Sequence, residues 1–240
     1  MGGLYLPFPN SLGGKDAMSS LILDNAAAEI ARFNDEGLHY NLVADAIHKM
    51  RESVEDPFDK PFLRYLIAGL VAFDMARWIG AKPYAFGTEG FASRLNSKLQ
   101  KIRPLLESLM KLSLAQIDLQ EQSDAIMRAY QELSAKGTGA LHINQAKHFH
   151  VGATKILHFL NPELFIIVDS NASRAFRTAW KLPFRRTTQP GYSANLYLEC
   201  MKRVQMDIST YGLERFRALD PGVPITRIYD KLTFVTGSGR

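Results

Sequence analysis

Apolar residues recur at three- and four-residue spacing through most of this chain, and that period confines it to helices. Leu21, Ile22, Ala26, Ile30 and Phe33 follow it across residues 16–33, and Val43, Ala46, Ile47 and Met50 continue it. Residues 62–79 predict a strongly apolar helix, the expected central core helix, ended by Gly80 and Pro83. Further helices are expected near 89–102, 104–115, 121–135, 193–211 and 224–235, divided by Pro104, Gly137, Gly139, Gly191, Gly212 and Pro221-Gly222. Alternating strand patterns are nearly absent, so the expected fold is all-α: a multi-helix globular protein with two helical lobes and a cleft between them. Residues 1–15 read as a flexible N-terminal segment, 16–137 as one lobe and 138–240 as the lobe carrying the candidate site, with one continuous domain as the alternative.

With 240 residues, 46% of them hydrophobic and 22% charged, the chain has material for a large core and is not a disordered tail. Its longest apolar run, around Leu66–Phe73, is far shorter than the ~20 residues that span a bilayer, so no membrane partner is expected. The start, Met1-Gly2-Gly3 followed by Pro7 and Pro9, lacks the basic-then-apolar pattern of a signal peptide. Cys200 is the only cysteine, which excludes an internal disulfide and fits a reducing cytoplasm.

Candidate chemistry gathers between His148 and Arg174. A helix is expected from about Asn144 to Leu160, with Phe149, Ala153, Ile156, Leu157 and Leu160 on its apolar stripe and a bend near Gly152. Asn161-Pro162 stops it. Phe165-Ile166-Ile167-Val168 has no helical period and reads as an extended crossing of the core that delivers Asp169 to a new helix start. There Asp169 would accept from the free N–H groups of Asn171 or Ala172, as helix-capping aspartates do without any catalytic duty. Lys155 stands on the other side of the same chain reversal, either buried or as a surface lysine on an amphipathic helix.

The string Val168-Asp169-Ser170-Asn171-x-x-Arg174 resembles the Val-Asp-Thr-His-x-x-Arg segment of helix-hairpin-helix DNA glycosylases, and Val151-Gly152-x-x-Lys155 resembles the end of their hairpin. Leu157 to Phe165 is similar to the 8-oxoguanine-glycosylase-like families and to related bacterial proteins. Lys155 here follows Gly152 by one residue more than in the family, and Phe149-His150 stands where the family has Pro-Gly. The resemblance spans roughly thirty residues. It implies a DNA glycosylase in which Asp169 helps break the bond between a damaged base and its sugar, and in which Lys155, as in bifunctional members, forms a Schiff base with the sugar. A fixed carboxylate suits that reaction because the transition state is oxocarbenium-like. A lysine nucleophile requires burial or a neighbouring cation to release its proton. The family's iron–sulfur cluster needs four cysteines, so it is excluded and no cofactor is expected.

Charge supports a nucleic-acid partner, DNA by the resemblance. Residues 171–240 carry twelve basic and five acidic side chains, so the excess of +5 lies entirely after Asp169. Arg174, Arg177, Lys181, Arg185 and Arg186 occur with no acid between Asn171 and Pro190. On a helix from 170 to 181, Arg174, Arg177 and Lys181 share one face, while Phe176, Ala179 and Trp180 turn toward the core. Gly152 joins these residues as a nucleic-acid-binding candidate through the hairpin. A solvated basic face that binds nothing has the same pattern.

Other residues invite weaker readings. His148 and His150 are expected on different sides of a helix, so together with His158 they do not predict a metal site. Trp78, Tyr84, Phe86, Trp180 and Tyr192 are candidates to stack on an extruded base, and equally candidates for the core. Arg227-Ile228-Tyr229-Asp230-Lys231 reads first as a salt-bridged surface and second as an anchor of the site. Three functions follow: a glycosylase-like enzyme, a non-catalytic nucleic-acid-binding module on the same scaffold, or a helical protein that binds a small molecule or a partner with Asp169 only a cap.

Overall fold

The computed structural model describes residues 22–75, 81–82, 85–86, 88–136, 138, 148–184 and 193–239. The fold is all-α. Its helices are α1 (Ala26–Glu36), α2 (Leu38–Ser53), α3 (Lys60–Leu70), α4 (Thr88–Leu109), α5 (Ser123–Ser134), α6 (His150–Leu160), α7 (Ser170–Trp180), α8 (Ala194–Tyr211), α9 (Leu213–Arg217) and α10 (Ile225–Ser238). Two two-residue strands, β1 (Ala81–Lys82) and β2 (Ala85–Phe86), pair antiparallel with Ala81 opposite Phe86. No helix among the described residues is long and apolar enough to cross a membrane.

The central helix is α6, not the segment around 62–79. Every residue of α6 from Gly152 to Leu160 is buried, and the helix packs on α2, α3 and α5. A helix apolar all round has no solvent face and must be enclosed. By contrast, α3 exposes Arg64, Tyr65 and Ala68 and buries only Phe62, Leu63, Leu66, Gly69 and Leu70. It ends nine residues earlier than expected at Leu70, where the chain widens into a π turn over Val71–Met75.

Pro104 does not divide two helices. It lies inside α4, which runs unbroken from Thr88 to Leu109. Leu95, Leu99, Ile102, Leu106 and Leu109 are all buried along that helix, and their continuous burial outweighs the one backbone bond that proline removes. The short helix α9 also lay outside the sequence reading.

Buried apolar side chains from Ile22 to Leu232 form one continuous cluster, with members on both sides of residue 137. Helix α10 packs on α7 and also on α1, so the first and last helices are neighbours. The expected segment 1–15 and the expected break at Gly137 and Gly139 lie outside the described residues.

Candidate functional site

The approach to Asp169 is built by side chains that satisfy an extended backbone without a sheet. Asn161 stops α6: its Nδ2 donates to the carbonyls of Leu109 (2.8 Å) and Leu112 (3.0 Å), and its Oδ1 accepts from the Glu163 amide at 3.0 Å. Residues 164–168 then cross the core, all buried. A buried backbone needs partners. His158 Nδ1 lies 2.8 Å from the Phe165 carbonyl, Tyr197 donates to the Ile166 carbonyl at 3.1 Å, and Thr154 Oγ1 accepts from the Val168 amide at 3.1 Å. A carbonyl only accepts, so His158 carries its proton on Nδ1. Burial, opposed by that hydrogen bond, lowers His158 to about 3, with Arg227 and His48 adding to the effect.

Asp169 emerges from this crossing as the N-cap of α7. Its Oδ1 accepts from the amides of Asn171 (2.8 Å) and Ala172 (2.9 Å), as the sequence predicts, and its backbone carbonyl accepts from Ser173 at 2.9 Å. The partial positive charge at the N-terminus of α7 favours an anion at this point. The residue is half-buried.

Lys155 is a core residue, only 6% exposed. Its Nζ donates to the carbonyl of Phe73 at 2.6 Å, inside the π turn that follows α3, and sits 5.5 Å from the Phe73 ring centroid. A second cation meets the same ring: the Arg227 guanidinium lies 5.6 Å from it and 5.2 Å from the ring of Phe33. Arg227 bonds Asp230, and its Nε is buried without a hydrogen-bond partner among the described residues. Burial raises the Asp230 carboxyl to about 6. Arg227 and Lys155 oppose that rise, and Asp169 adds to it. Lys155 and Asp169 therefore both lie within electrostatic reach of one buried carboxyl.

That arrangement corrects the reading of residues 227–231 as a salt-bridged surface. Arg227 and Lys231 are each 4% exposed, and Lys231 Nζ reaches Asp220 at 2.5 Å and Asn34 at 2.8 Å. Opposite charges at close helical spacing look the same in sequence whether the helix face meets water or protein. The apolar residues Ile225, Ile228, Tyr229, Leu232 and Val235 recur at three- and four-residue spacing and mark a single face of α10, so the sequence carried no sign that Arg227 and Lys231 are enclosed as well.

The basic candidates divide. Arg174 is engaged: its Nε donates to the Gly237 carbonyl at 2.6 Å, and its guanidinium also bonds Asn171 Oδ1. Arg177 is half-buried. Lys181 is exposed, but it is the C-cap of α7 in left-handed backbone (φ 56°), with Nζ on the Thr178 carbonyl at 3.0 Å. Lys181 therefore sits at the opposite end of α7 from Asp169. Arg185 and Arg186 lie outside the described residues. Gly152 falls in the first turn of α6 and marks no bend within a longer helix. A Cβ there would come within 2.0 Å of the Phe149 ring, so the glycine makes room for an aromatic side chain. The expected helical residues 144–147 lie outside the described residues.

His148 and His150 do not diverge. Because α6 begins only at His150, helical geometry does not separate them, and their rings stack at 4.9 Å with 14° between planes. His150 Nδ1 meets the Tyr130 hydroxyl at 2.9 Å, and burial followed by the neighbouring His148 lowers it to about 4. No group of three metal-ligating side chains occurs among the described residues. Trp180 stacks on Phe176 at 4.5 Å, in keeping with a core role. Trp78, Tyr84, Tyr192 and the side chain of Phe86 lie outside the described residues.

Comparison with family models, with curated proteins and with solved structures finds no match to this chain.

Proposed function

We propose that this chain is a helical, DNA-glycosylase-like protein that cleaves or recognises a modified nucleobase, with Asp169 as the carboxylate facing the sugar. The observation that carries the reading is the capping geometry of Asp169. A fully buried crossing leads to it, its Oδ1 is held by two amides, and the residue itself is half-buried. A carboxylate held this rigidly needs no reorganisation to stabilise an oxocarbenium-like sugar or to orient a water toward it.

Lys155 takes a different part from the Schiff-base role that the resemblance implies. Its Nζ is spent on the Phe73 carbonyl at 2.6 Å in the core, and to attack a sugar carbon it would have to leave that partner. The reading is thus a monofunctional one, with Lys155 as a fixed positive charge behind the carboxylate. The same engagement favours, as the second reading, a binding module with no chemistry.

The test is incubation of the purified protein with duplex oligonucleotides bearing oxidised, deaminated, alkylated or abasic sites, followed by alkali, with borohydride trapping in parallel. Expected is alkali-revealed cleavage at one lesion class, no trapped adduct, and loss of cleavage in Asp169→Asn with binding retained. Binding without cleavage on every lesion selects the binding module. Absence of any duplex binding at low ionic strength discards both.

A further inference from the structure

The end of α1, the start of α2 and the last turn of α10 enclose a cavity of about 240 Å³, and no residue of α6 or α7 lines it. Three aromatic rings, Phe33, Tyr40 and Phe234, form its apolar wall. Phe234 stands at 89° to Phe33 with centroids 5.4 Å apart, and at 55° to Tyr40 with centroids 5.9 Å apart, so the rings bound a concave corner rather than a flat stack. Phe33 is buried and already has Arg227 and Lys231 at 5.2 and 5.7 Å from its centroid. The aromatic surface left for a ligand therefore belongs to Tyr40 and Phe234, both half-buried.

The charges around this corner come from all three helices. On α1, Arg32 bonds Glu29 at 2.9 Å rather than Glu36 four residues on, and Glu36, in the cavity wall, forms no ion pair among the described residues. On α2, His39 packs against Tyr40 with centroids 3.8 Å apart. Behind Phe33, Arg227 pairs with Asp230 and Lys231 with Asp220, so neither pair adds net charge. The backbone adds to the picture, because α1 and α10 both end at the cavity and neither last turn carries a basic residue. Helix C-termini carry partial negative charge. The positive end of α2, which begins at Leu38, offsets the end of α1. The end of α10 and the Glu36 carboxylate are left to attract a cation.

We propose that this cavity binds a methylated ammonium group, of the kind carried by choline or by Nε-trimethyllysine. Such a nitrogen has no hydrogen to donate and spreads its charge over a methyl surface, so it is held by aromatic rings and a nearby carboxylate rather than by a bonded acceptor. Tyr40, Phe234 and Glu36 supply that combination. The site is independent of the nucleobase reading.

The experiment titrates choline, Nε-trimethyllysine and the neutral tert-butyl isostere of choline, with carbon in place of nitrogen, into the full chain in mildly alkaline buffer, which keeps imidazoles uncharged. The ligand methyl proton resonances are followed for the wild type, Glu36→Gln and Phe234→Leu, with circular dichroism to confirm folding. In the wild type the N-methyl protons move upfield under the ring currents, and the better cation binds at least about fivefold more tightly than the isostere. Glu36 is exposed, so Glu36→Gln keeps the fold; it weakens the cation by about threefold or more and leaves the isostere unchanged. In folded Phe234→Leu the upfield shift shrinks. The tighter of the two cations names the source, a free choline-type solute or a methylated lysine. An isostere bound as tightly as both cations overturns the proposal, as does a wild type that shifts neither cation, or a Glu36→Gln variant that binds the cation as the wild type does.

Discussion

Gly237 lies against the backbone of Asn171 so closely that a Cβ at 237 would stand 2.0 Å from the Asn171 carbonyl oxygen. The obstacle is backbone, which cannot swing aside as a side-chain tip would. Gly237→Ala is therefore expected to push α10 off the start of α7 and to destabilise the fold by about 1–3 kcal/mol despite alanine's better helix propensity. Urea denaturation of the variant checks the sign: a midpoint equal to or above that of the wild type would mean the two helices separate at no cost.

Arg227→Met leaves the largely enclosed Asp230 carboxylate without its bonded cation. The expected loss is about 3–5 kcal/mol, because an uncompensated buried charge is left behind. The Asp230 titration should move above 6 in this variant, since Arg227 is the larger of the two cationic influences that hold it down. Replacing Asp230 by Leu in the same chain should recover much of the stability; a double variant as weak as the single one would assign the loss to packing of the Arg227 stem.

His158 connects stability to pH. Its folded value of about 3 lies below the ordinary histidine value near 6.5, so the unfolded chain binds a proton that the folded chain refuses between those limits. Its contribution is fully present above pH 6.5 and declines as pH falls toward 3, an effect on the order of several kcal/mol at the acid end. Asp230 acts oppositely, because its raised value lets the folded state hold a proton that the unfolded state has lost between about 4 and 6. In His158→Gln the acid decline of Tm across pH 3–6.5 should become shallower; an unchanged slope would show that His158 does not titrate on unfolding.

Among the basic residues of α7, stability and binding should separate. Arg177→Ala with Lys181→Ala is expected to change stability by less than ~0.5 kcal/mol. Under the nucleic-acid reading, the pair should lower the salt slope of duplex binding by about 1.8, at roughly 0.9 per phosphate contact. Arg174→Ala should instead cost stability, since it removes the donor to the Gly237 carbonyl. Binding isotherms at several salt concentrations read both effects, and equal salt slopes for wild type and double variant would remove Arg177 and Lys181 from the interface.

What was legible in the sequence was local. Pro162 after Asn161 stops α6, the run Phe165 to Val168 has no helical period, and Asp169 precedes two free amides; each depends on residues within a few positions, and each is found as read. Lys155, His148, His150 and residues 227–231 were visible as chemical types, but not their surroundings. Pro104 was misread because the helix-breaking tendency of one residue was set against no knowledge of the core that holds α4 straight.

By itself the sequence determined that the chain is helical, where α6 stops and where α7 starts, because hydrophobic period, proline sterics and capping act over one or two turns. The tertiary structure alone decided that α6 is the enclosed helix, that Lys155 ends on the Phe73 carbonyl, and that Arg227, bonded to Asp230, meets the same Phe73 ring as Lys155. Those outcomes depend on packing between residues far apart in sequence, as when Arg227 meets the rings of Phe73 and Phe33, and no local pattern encodes which helix face will meet protein and which will meet water.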